Sequence, residues 1–183
     1  METIVKKKKY TYEDYLKTPD DVRYELIEGD LIMAPSPITK HQRISGKIFA
    51  FIFTFVMDNN LGEIFSAPYD VLLDDKNVIQ PDILFISKDR LNIIGEKNIQ
   101  GAPDLIIEIL SEATAYRDTI QKKRLYTRFG VREYWIVAPD DKLVEVYYLK
   151  DEGEYRLLKT YFEKDTIESQ VIRGLKIDLN RIF

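Results

Sequence analysis

The sequence of 183 residues contains no cysteine and a single histidine. The lack of cysteine excludes disulfides, thiolate nucleophiles and cysteine-ligated zinc sites, and it fits a protein of the reducing cytoplasm. His41 is the one histidine that a Ser-His-Asp triad could use, and the sequence has no Gly-x-Ser-x-Gly motif to accompany it. We therefore do not expect an acyl-transfer enzyme.

Long apolar runs and phosphate-binding loops are also missing. The longest apolar stretch, Ile48 to Met57, is about half as long as a membrane-spanning helix. The lysines near the N-terminus are followed by polar Thr11 and Glu13 instead of the apolar core of a secretory signal. Neither a Walker-type loop nor a Gly-x-Gly-x-x-Gly motif occurs, so the sequence gives no support to nucleotide binding.

The composition is that of a folded globular protein. Hydrophobic residues make up 45% and aromatic residues 12%, which excludes global disorder. We expect a flexible basic N-terminus at residues 1–10 and a single domain at residues 11–183. The net charge of −4 is unusual for a nucleic-acid-binding protein. However, carboxylates around a metal make a chain more acidic, while a local basic face can still contact phosphates.

The first part of the chain predicts a short helix followed by a β-hairpin. Thr11 and Asp14 have the spacing of a capping box, and Pro19 stops the helix. Residues 24–33 have the pattern of two strands with a turn centred on Gly29.

Two periodicities compete in the segment that follows. Every second residue from Phe49 to Phe55 is aromatic, as in a strand, whereas an apolar stripe at helical spacing extends over more than three turns and ends at Asn59. The longer pattern favours a helix, with this stripe: Ile44, Ile48, Phe51, Ile52 and Phe55. Its other face carries Phe49, Phe53 and Met57, so the helix is either buried on two sides or forms a homodimer contact.

The rest of the chain predicts a sheet with helices packed on it. Strands are expected at residues 63–73, 78–87, 104–110 and 133–138, a polar helix at residues 114–129 with Gly130 as its stop, and a β-hairpin at residues 142–162. This order indicates an α/β (α+β) domain in which helices flank a mixed β-sheet, with a C-terminal β-hairpin.

Three acidic residues stand in apolar surroundings at strand positions. Glu25 precedes Leu26, Asp82 opens an apolar run, and Glu108 is embedded in residues 105–110. Carboxylates are rarely buried unless they are paired, hydrogen-bonded or bound to a metal. Taken singly, Asp82 could merely begin a strand and Glu108 could face solvent from an edge. The recurrence of the pattern favours a shared site.

The helix after Glu108 offers a balancing charge. Asp118, Lys122 and Tyr126 are spaced four residues apart, so they share one helix face. On an exposed helix this would be an ordinary ion pair that contributes roughly 0.3–0.5 kcal/mol. Because the strand that carries Glu108 leads directly into this helix, we instead expect Lys122 to lie near the carboxylates.

A set of ordered motifs carries a family resemblance. The motifs are Tyr-Glu-Leu-Ile-Glu-Gly at 24–29, Pro-Ser-Pro at 35–37, His-Gln-Arg-Ile at 41–44, Gln-Pro-Asp-Ile-Leu-Phe at 80–85, Gly-Ala-Pro-Asp-Leu-Ile-Ile-Glu-Ile-Leu-Ser at 101–111 and Gly-Val-Arg-Glu-Tyr-Trp-Ile-Val at 130–137. Together they resemble the Uma-type restriction endonucleases, a branch of the PD-(D/E)XK nuclease superfamily. The likeness extends from about Thr11 to Phe183.

The resemblance implies a restriction-endonuclease-like core and a divalent-metal site. It implies that Asp82 and Glu108 hold the metal, with the main-chain carbonyl of Ile109 as a further ligand and Glu25 as an additional acid. Oxygen ligands favour Mg²⁺ or Mn²⁺. In the general superfamily pattern a lysine follows the second acid by two residues, and that position is Leu110 here. Lys122 matches a lysine that Uma-type sequences carry on the next helix.

The function that follows is a Mg²⁺-dependent endonuclease acting on DNA. Lys122 would assist the attacking water, and Glu25 would tune the site. A homodimer, possibly formed through the helix with Phe49 and Phe53, would provide two related sites for the two strands of a duplex. The competing hypotheses are a catalytically idle nucleic-acid-binding or accessory protein on the same fold, which the residue Leu110 favours, and a hydrolase of small phosphate esters.

Overall fold

Two β-sheets with helices packed against them form the structure, a computed structural model that describes residues 8–19, 21–112, 115–150 and 153–183. The elements are α1 Tyr12–Tyr15, β1 Tyr24–Ile27, β2 Asp30–Met33, α2 Thr39–Asp58, β3 Gly62–Ser66, β4 Val71–Asp74, β5 Asn77–Ile79, β6 Ile83–Ser87, β7 Ile99–Gln100, β8 Leu105–Ile109, α3 Lys123–Phe129, β9 Glu133–Ala138, β10 Leu143–Leu149, β11 Tyr155–Phe162, β12 Thr166–Glu168 and β13 Lys176–Asp178. A π-helical turn, Arg117–Lys122, leads directly into α3, and 3₁₀ turns occupy Lys88–Ile93 and Leu179–Arg181.

The larger sheet has six strands in the order β11-β10-β9-β8-β6-β3. Strands β8 and β9 are parallel and all other neighbours are antiparallel, which confirms the predicted mixed sheet. A second sheet has the order β2-β1-β5-β4-β7, and β12 pairs with β13. The hairpin of β1 and β2 and that of β10 and β11 are both as predicted, although residues 151 and 152 of the second turn lie outside the described part of the chain.

The two faces of the six-stranded sheet are covered by different elements. Alternate residues point to opposite faces of a strand, so each strand divides its apolar residues between two cores. On one face, Phe85, Ile107 and Trp135 pack in the same core as the buried stripe of α2. On the other face, Ile106 and Tyr134 pack in a core with residues of α3 and of the five-stranded sheet. Helices therefore flank the large sheet as expected, and Trp135 is a core residue.

The predicted strands at residues 63–73 and 78–87 are each divided in two, which corrects the sequence interpretation. In both cases the chain leaves one sheet for the other at a proline: Pro68 lies between β3 and β4, and Pro81 lies between β5 and β6. Proline has no N–H to donate to a ladder, so it ends a strand that the apolar pattern alone would continue. The second crossing places Asp82 at the junction between the two sheets.

The long helix α2 has the predicted type, and the strand alternative is wrong. Ile44, Ile48, Ile52 and Val56 form its buried stripe, and burying each such side chain contributes roughly 1.5–3 kcal/mol. The residues of its other apolar face differ in burial. Phe49 is partly buried against the core, while Phe53 and Met57 are 44% and 54% exposed. In the part of the chain that the structure describes, no helix is long and apolar enough to cross a membrane.

The ends of the remaining helices follow the local sequence. The Thr11 amide donates to Asp14 Oδ2 at 3.1 Å, which confirms the capping box of α1. Gly130 ends α3 in a left-handed conformation with φ of 80°, as its position predicted. The expected start of that helix at Thr114 and most of the basic segment at residues 1–10 lie outside the described residues. Within the described part, Lys9 contacts Asp30 at 3.2 Å.

Candidate active site

The three acidic residues singled out from the sequence meet where the two sheets adjoin. Glu25 comes from β1 of the five-stranded sheet, and Glu108 comes from β8 in the middle of the six-stranded sheet. Asp82 lies in the crossing between them, directly before β6. Glu25 and Glu108 are both buried, with 3% exposure, so the alternative in which Glu108 faces solvent from an edge strand is wrong.

Lys122 brings two of these carboxylates together. Its Nζ atom lies 2.8 Å from Glu25 Oε1 and 2.9 Å from Glu108 Oε1, and 3.5 Å from Asp118 Oδ1. The Tyr126 hydroxyl donates to Glu108 Oε1 at 2.6 Å. The predicted helix face is therefore present, but it is buried. The alternative of an exposed ion pair between Asp118 and Lys122 is therefore wrong, because both side chains are buried.

The clustered charges act on one another. Burial raises the pKa of Glu108, and Asp118, Asp82 and Glu25 raise it further, whereas the nearby ammonium of Lys122 lowers it; the net change is upward. Burial alone would lower the pKa of Lys122, but the surrounding carboxylates outweigh that effect and raise it. Lys122 is therefore cationic at neutral pH, and its ammonium is shared by three carboxyl groups.

Asp82 is held by two donors on one of its oxygens. The Ile109 amide donates to Asp82 Oδ2 at 2.8 Å, and His41 Nε2 lies 3.1 Å from the same atom. Burial lowers the pKa of His41, but the hydrogen bond and the charge of Asp82 raise it to a net value above its ordinary one. Since both contacts are made to Oδ2, neither of them occupies Oδ1.

These side chains line one cavity of about 520 Å³. The buried cluster of Glu25, Glu108, Asp118 and Lys122 lines it, together with residues 34–38 and the turn at Pro139 and Asp140. Among the exposed lining residues, Lys40 of α2 contacts Asp140 at 2.6 Å. The cavity thus connects buried carboxylates and a buried ammonium group to the surface, which a purely structural ion-pair cluster does not require.

The donor set fits a hard divalent cation. Six carboxylates line the cavity, those of Glu25, Asp82, Glu108, Glu112, Asp118 and Asp140, together with the cations of Arg23, Lys40, Arg117 and Lys122. Oxygen donors suit Mg²⁺ or Mn²⁺. Within the described residues, no three histidine or acidic side chains are grouped as a ready set of metal ligands. The predicted set of two carboxylates and one main-chain carbonyl, that of Ile109, does not depend on such a group.

Sequence reasoning missed several residues of the cavity. Arg117 lies 3.5 Å from Glu25 Oε2, and the Gln80 amide donates to Glu25 Oε1 at 3.0 Å. Arg23 lines the cavity as well. His41, to which the sequence motifs gave no role at the site, contacts Asp82. Two signals were available: Gln80 and Arg23 are each within two residues of a predicted site residue, and His41 belongs to a quoted motif.

Comparison with known proteins identifies the family. The model of the family Uma2, described as "Putative restriction endonuclease", matches residues 12–180. The chain belongs to the Uma2 family. Membership assigns it to a family of nucleases and confirms the resemblance seen in the sequence motifs.

A solved structure supports the fold of this Uma2-family chain. The crystal structure of "a putative nuclease belonging to DUF820 from Anabaena variabilis ATCC 29413" aligns with a TM-score of 0.78 over 94% of this chain and 97% of that chain, at 23% sequence identity. At this identity the likeness establishes the restriction-endonuclease-like fold alone. The comparison with curated proteins finds no match.

Proposed function

We propose that the protein is a Mg²⁺- or Mn²⁺-dependent endonuclease that hydrolyses phosphodiester bonds in DNA. The observation that carries the proposal is the ammonium of Lys122 held 2.8 Å from Glu25 and 2.9 Å from Glu108 in a cavity that Asp82 also lines. Phosphodiester hydrolysis needs a hydroxide near neutral pH and positive charge around the phosphoryl oxygens, and this combination of groups is suited to both needs.

Asp82, Glu108 and the main-chain carbonyl of Ile109 would hold the cation. When bound, the cation lowers the pKa of its water and acts as a Lewis acid toward the phosphate. His41 and the Ile109 amide hold the Asp82 carboxylate through Oδ2, and neither contact uses Oδ1. These contacts support preorganisation of the site, since the carboxylate does not have to reorient when the cation binds.

Lys122 would act on the substrate side of the reaction. Its ammonium can orient the attacking water and stabilise the negative charge that develops on the phosphate. Glu25 would position Lys122 through their 2.8 Å contact, and it is itself held by the Gln80 amide. The lysine that the general superfamily pattern has at position 110 would then be replaced in space by Lys122 from the π-helical turn.

Nicking of supercoiled plasmid tests the proposal. The parent protein is expected to cut with Mg²⁺ or Mn²⁺ and not with chelator, while Asp82→Asn is expected to lose cutting and to keep its melting temperature. Asp89→Asn is the matched control, because Asp89 is exposed on the 3₁₀ turn outside the cavity. If Asp82→Asn cuts as well as the parent, the assignment of the site is wrong.

A catalytically idle nucleic-acid-binding protein is the second candidate. It is favoured by the engagement of Lys122 with three carboxylates, which leaves its ammonium already neutralised by protein groups. Calorimetric titration with Mn²⁺ separates the two candidates. If the protein is a nuclease as proposed, the parent binds Mn²⁺ and Asp82→Asn does not. If it is an idle protein that has lost its site, the parent and Asp82→Asn show the same Mn²⁺ titration.

We further propose that the nuclease acts as a homodimer through the exposed face of α2. Phe53 is 44% exposed and its ring stacks on Phe49 with centroids 5.7 Å apart, which gives a flat aromatic surface. Sedimentation of the parent is expected to give the mass of a dimer, and Phe53→Glu is expected to give a monomer. A parent protein that sediments as a monomer at all accessible concentrations contradicts this part of the proposal.

A further inference from the structure

Arg23 differs from the other basic side chains of the cavity. Lys40, Arg117 and Lys122 each contact a carboxylate: Asp140, Glu25 and the buried cluster, respectively. The described residues provide Arg23 with a neutral partner instead, the side-chain amide oxygen of Gln80, which accepts from Arg23 Nε at 2.9 Å. Within that part of the chain no carboxylate forms an ion pair with Arg23, although Arg23 is one of the residues that line the cavity.

A hydrogen-bond network fixes the partner of Arg23 in one orientation. The Gln80 Nε2 atom donates to Asp70 Oδ1 at 2.7 Å, and the Tyr15 hydroxyl donates to the same carboxylate oxygen at 2.8 Å. Because the amide nitrogen faces a carboxylate, the amide oxygen must face Arg23. The side chain that holds Arg23 therefore cannot flip without losing these bonds, and Arg23 Nε is anchored at a fixed place.

Gln80 also connects Arg23 to the candidate active site. The main-chain amide of Gln80 donates to Glu25 Oε1 at 3.0 Å, and Gln80 is separated from Asp82 only by Pro81. The main chain of Arg23 is held too, because its carbonyl accepts from the Ala34 amide at 2.9 Å. Arg23 is thus positioned relative to the carboxylates by protein contacts that involve one of its five N–H donors.

We propose that Arg23 binds a backbone phosphate of the nucleic acid at the wall of this cavity. The four N–H groups on its terminal nitrogens form the planar fork that matches two phosphate oxygens. A carboxylate partner would compete with a phosphate for this fork, whereas the neutral amide of Gln80 leaves the positive charge for the ligand. The inference rests on the proposed function, because it assumes that nucleic acid enters the cavity.

Binding of a short fluorescent DNA duplex in chelator, followed by anisotropy over a series of salt concentrations, tests the inference without cleavage. Arg23→Gln is expected to weaken binding about tenfold at low salt. The slope of log affinity against log salt should decrease by about 0.9, the value for one lost phosphate contact. Arg23→Lys should keep the slope and recover only part of the affinity, because lysine keeps the charge and lacks the fork.

Arg156→Gln is the matched control, since it removes the same charge from the exposed strand β11 and should leave affinity and slope at the parent values. Each variant is checked for an unchanged melting temperature. If Arg23→Gln misfolds, the comparison between parent and Arg23→Lys still decides, because a residue with no phosphate contact gives Arg23→Lys the parent affinity.

The outcomes separate this inference from the proposed function. If the parent binds and cuts DNA while Arg23→Gln matches it in affinity and slope, the inference is overturned and the nuclease proposal stands. If the parent binds without cutting and Arg23→Gln lowers the slope, the phosphate contact is supported and the nuclease proposal fails. A parent that does not bind DNA overturns both.

Discussion

Two buried glutamates on neighbouring strands show what distinguishes a chemical site from a structural one. Glu108 of β8 and Glu133 of β9 are 3% and 0% exposed, and burial raises the pKa of both. The two side chains lie on opposite faces of the same sheet. Burial of a carboxylate therefore does not distinguish a chemical role from a structural one. The kind of partner that the carboxylate contacts does distinguish them.

Glu133 is surrounded by neutral donors. Its two oxygens accept from the Trp135 indole at 2.6 Å, the Ser169 hydroxyl at 3.0 Å and the amides of Gln170 and Val171 at 2.8 Å each. These bonds tie the segment before β13 to the sheet. A carboxylate with four donors in a closed environment has no capacity left for a ligand, so we assign Glu133 to the fold.

Glu108 has charged partners and borders a cavity. It contacts a lysine that two further carboxylates share, and it borders the 520 Å³ cavity. Such a cluster is costly to assemble, because like charges are brought together away from water. The lesson is that charged partners beside a cavity, and not burial alone, indicate chemistry.

The largest expected effect is on cleavage, and it should separate the two glutamates completely. Glu108→Gln removes a proposed metal ligand, so plasmid cutting should fall at least about a thousandfold. Glu133→Gln should cut at the parent rate per folded molecule. Rates are normalised to the folded fraction measured by circular dichroism. Equal losses in the two variants would show that the comparison reflects folding alone.

The second prediction concerns stability, for which Glu133 is expected to matter more than Glu108. Glu133→Ala leaves four donors without their acceptor, of which those of Trp135 and Ser169 are buried, so the free energy of unfolding should fall by about 3 kcal/mol. Glu108→Gln should change it by less than about 1 kcal/mol, since the variant relieves repulsion among carboxylates as it loses the contact with Lys122. Urea denaturation in the presence of chelator measures both. A larger loss in Glu108→Gln would contradict the assignment of Glu133 to the fold.

The third prediction separates the charges within the cluster. Lys122→Met removes the ammonium but keeps much of the side-chain volume, which leaves Glu25, Glu108 and Asp118 facing one another. Affinity for Mn²⁺ should rise about tenfold because no protein cation competes for the carboxylates, while cutting is lost. Titration calorimetry gives the affinity, and Lys123→Met, on the neighbouring position, is the control. Unchanged Mn²⁺ affinity in Lys122→Met would indicate that the metal does not share these oxygens.

The smallest expected effect is on the pH dependence of stability. The folded-state pKa values of Glu108 and Glu133 are raised, so their stabilising contribution is fully present below the unfolded pKa and is lost as pH rises through the folded values. His41, whose pKa is also raised, acts in the same direction. In chelator, the free energy of unfolding should therefore fall between about pH 5 and pH 8.

The same measurement distinguishes the two glutamates. In saturating Mn²⁺, ionisation of Glu108 should stabilise the folded protein instead of destabilising it, because the metal binds the ionised carboxylate. The metal should leave the share of the pH dependence due to Glu133 unchanged, and Glu108→Gln should abolish the effect of Mn²⁺. The contribution of Asp104 does not interfere, since its lowered pKa places its loss of stability at more acidic pH. Stability that rises with pH in chelator would contradict this assignment.

Much of the architecture could be predicted because local signals agree with it. The helical stripe of α2, the capping box of α1 and the Gly130 stop are each fixed within a few residues of sequence. The division of residues 63–73 and 78–87 between two sheets could not be predicted from apolar runs. Both segments remain extended when the chain changes sheet, so their hydrophobic pattern continues across the prolines.

The sequence by itself determined that Glu25, Asp82, Glu108 and Lys122 stand in patterns unsuited to simple surface residues, and its ordered motifs determined the family. Only the tertiary structure decided which charges meet. Arg23 and His41 reach the cavity through contacts with Gln80 and Asp82, residues 57 and 41 positions further along the chain. Local periodicity carries no information about such distant partners, which become neighbours only because the two sheets pack together around the crossing at Pro81.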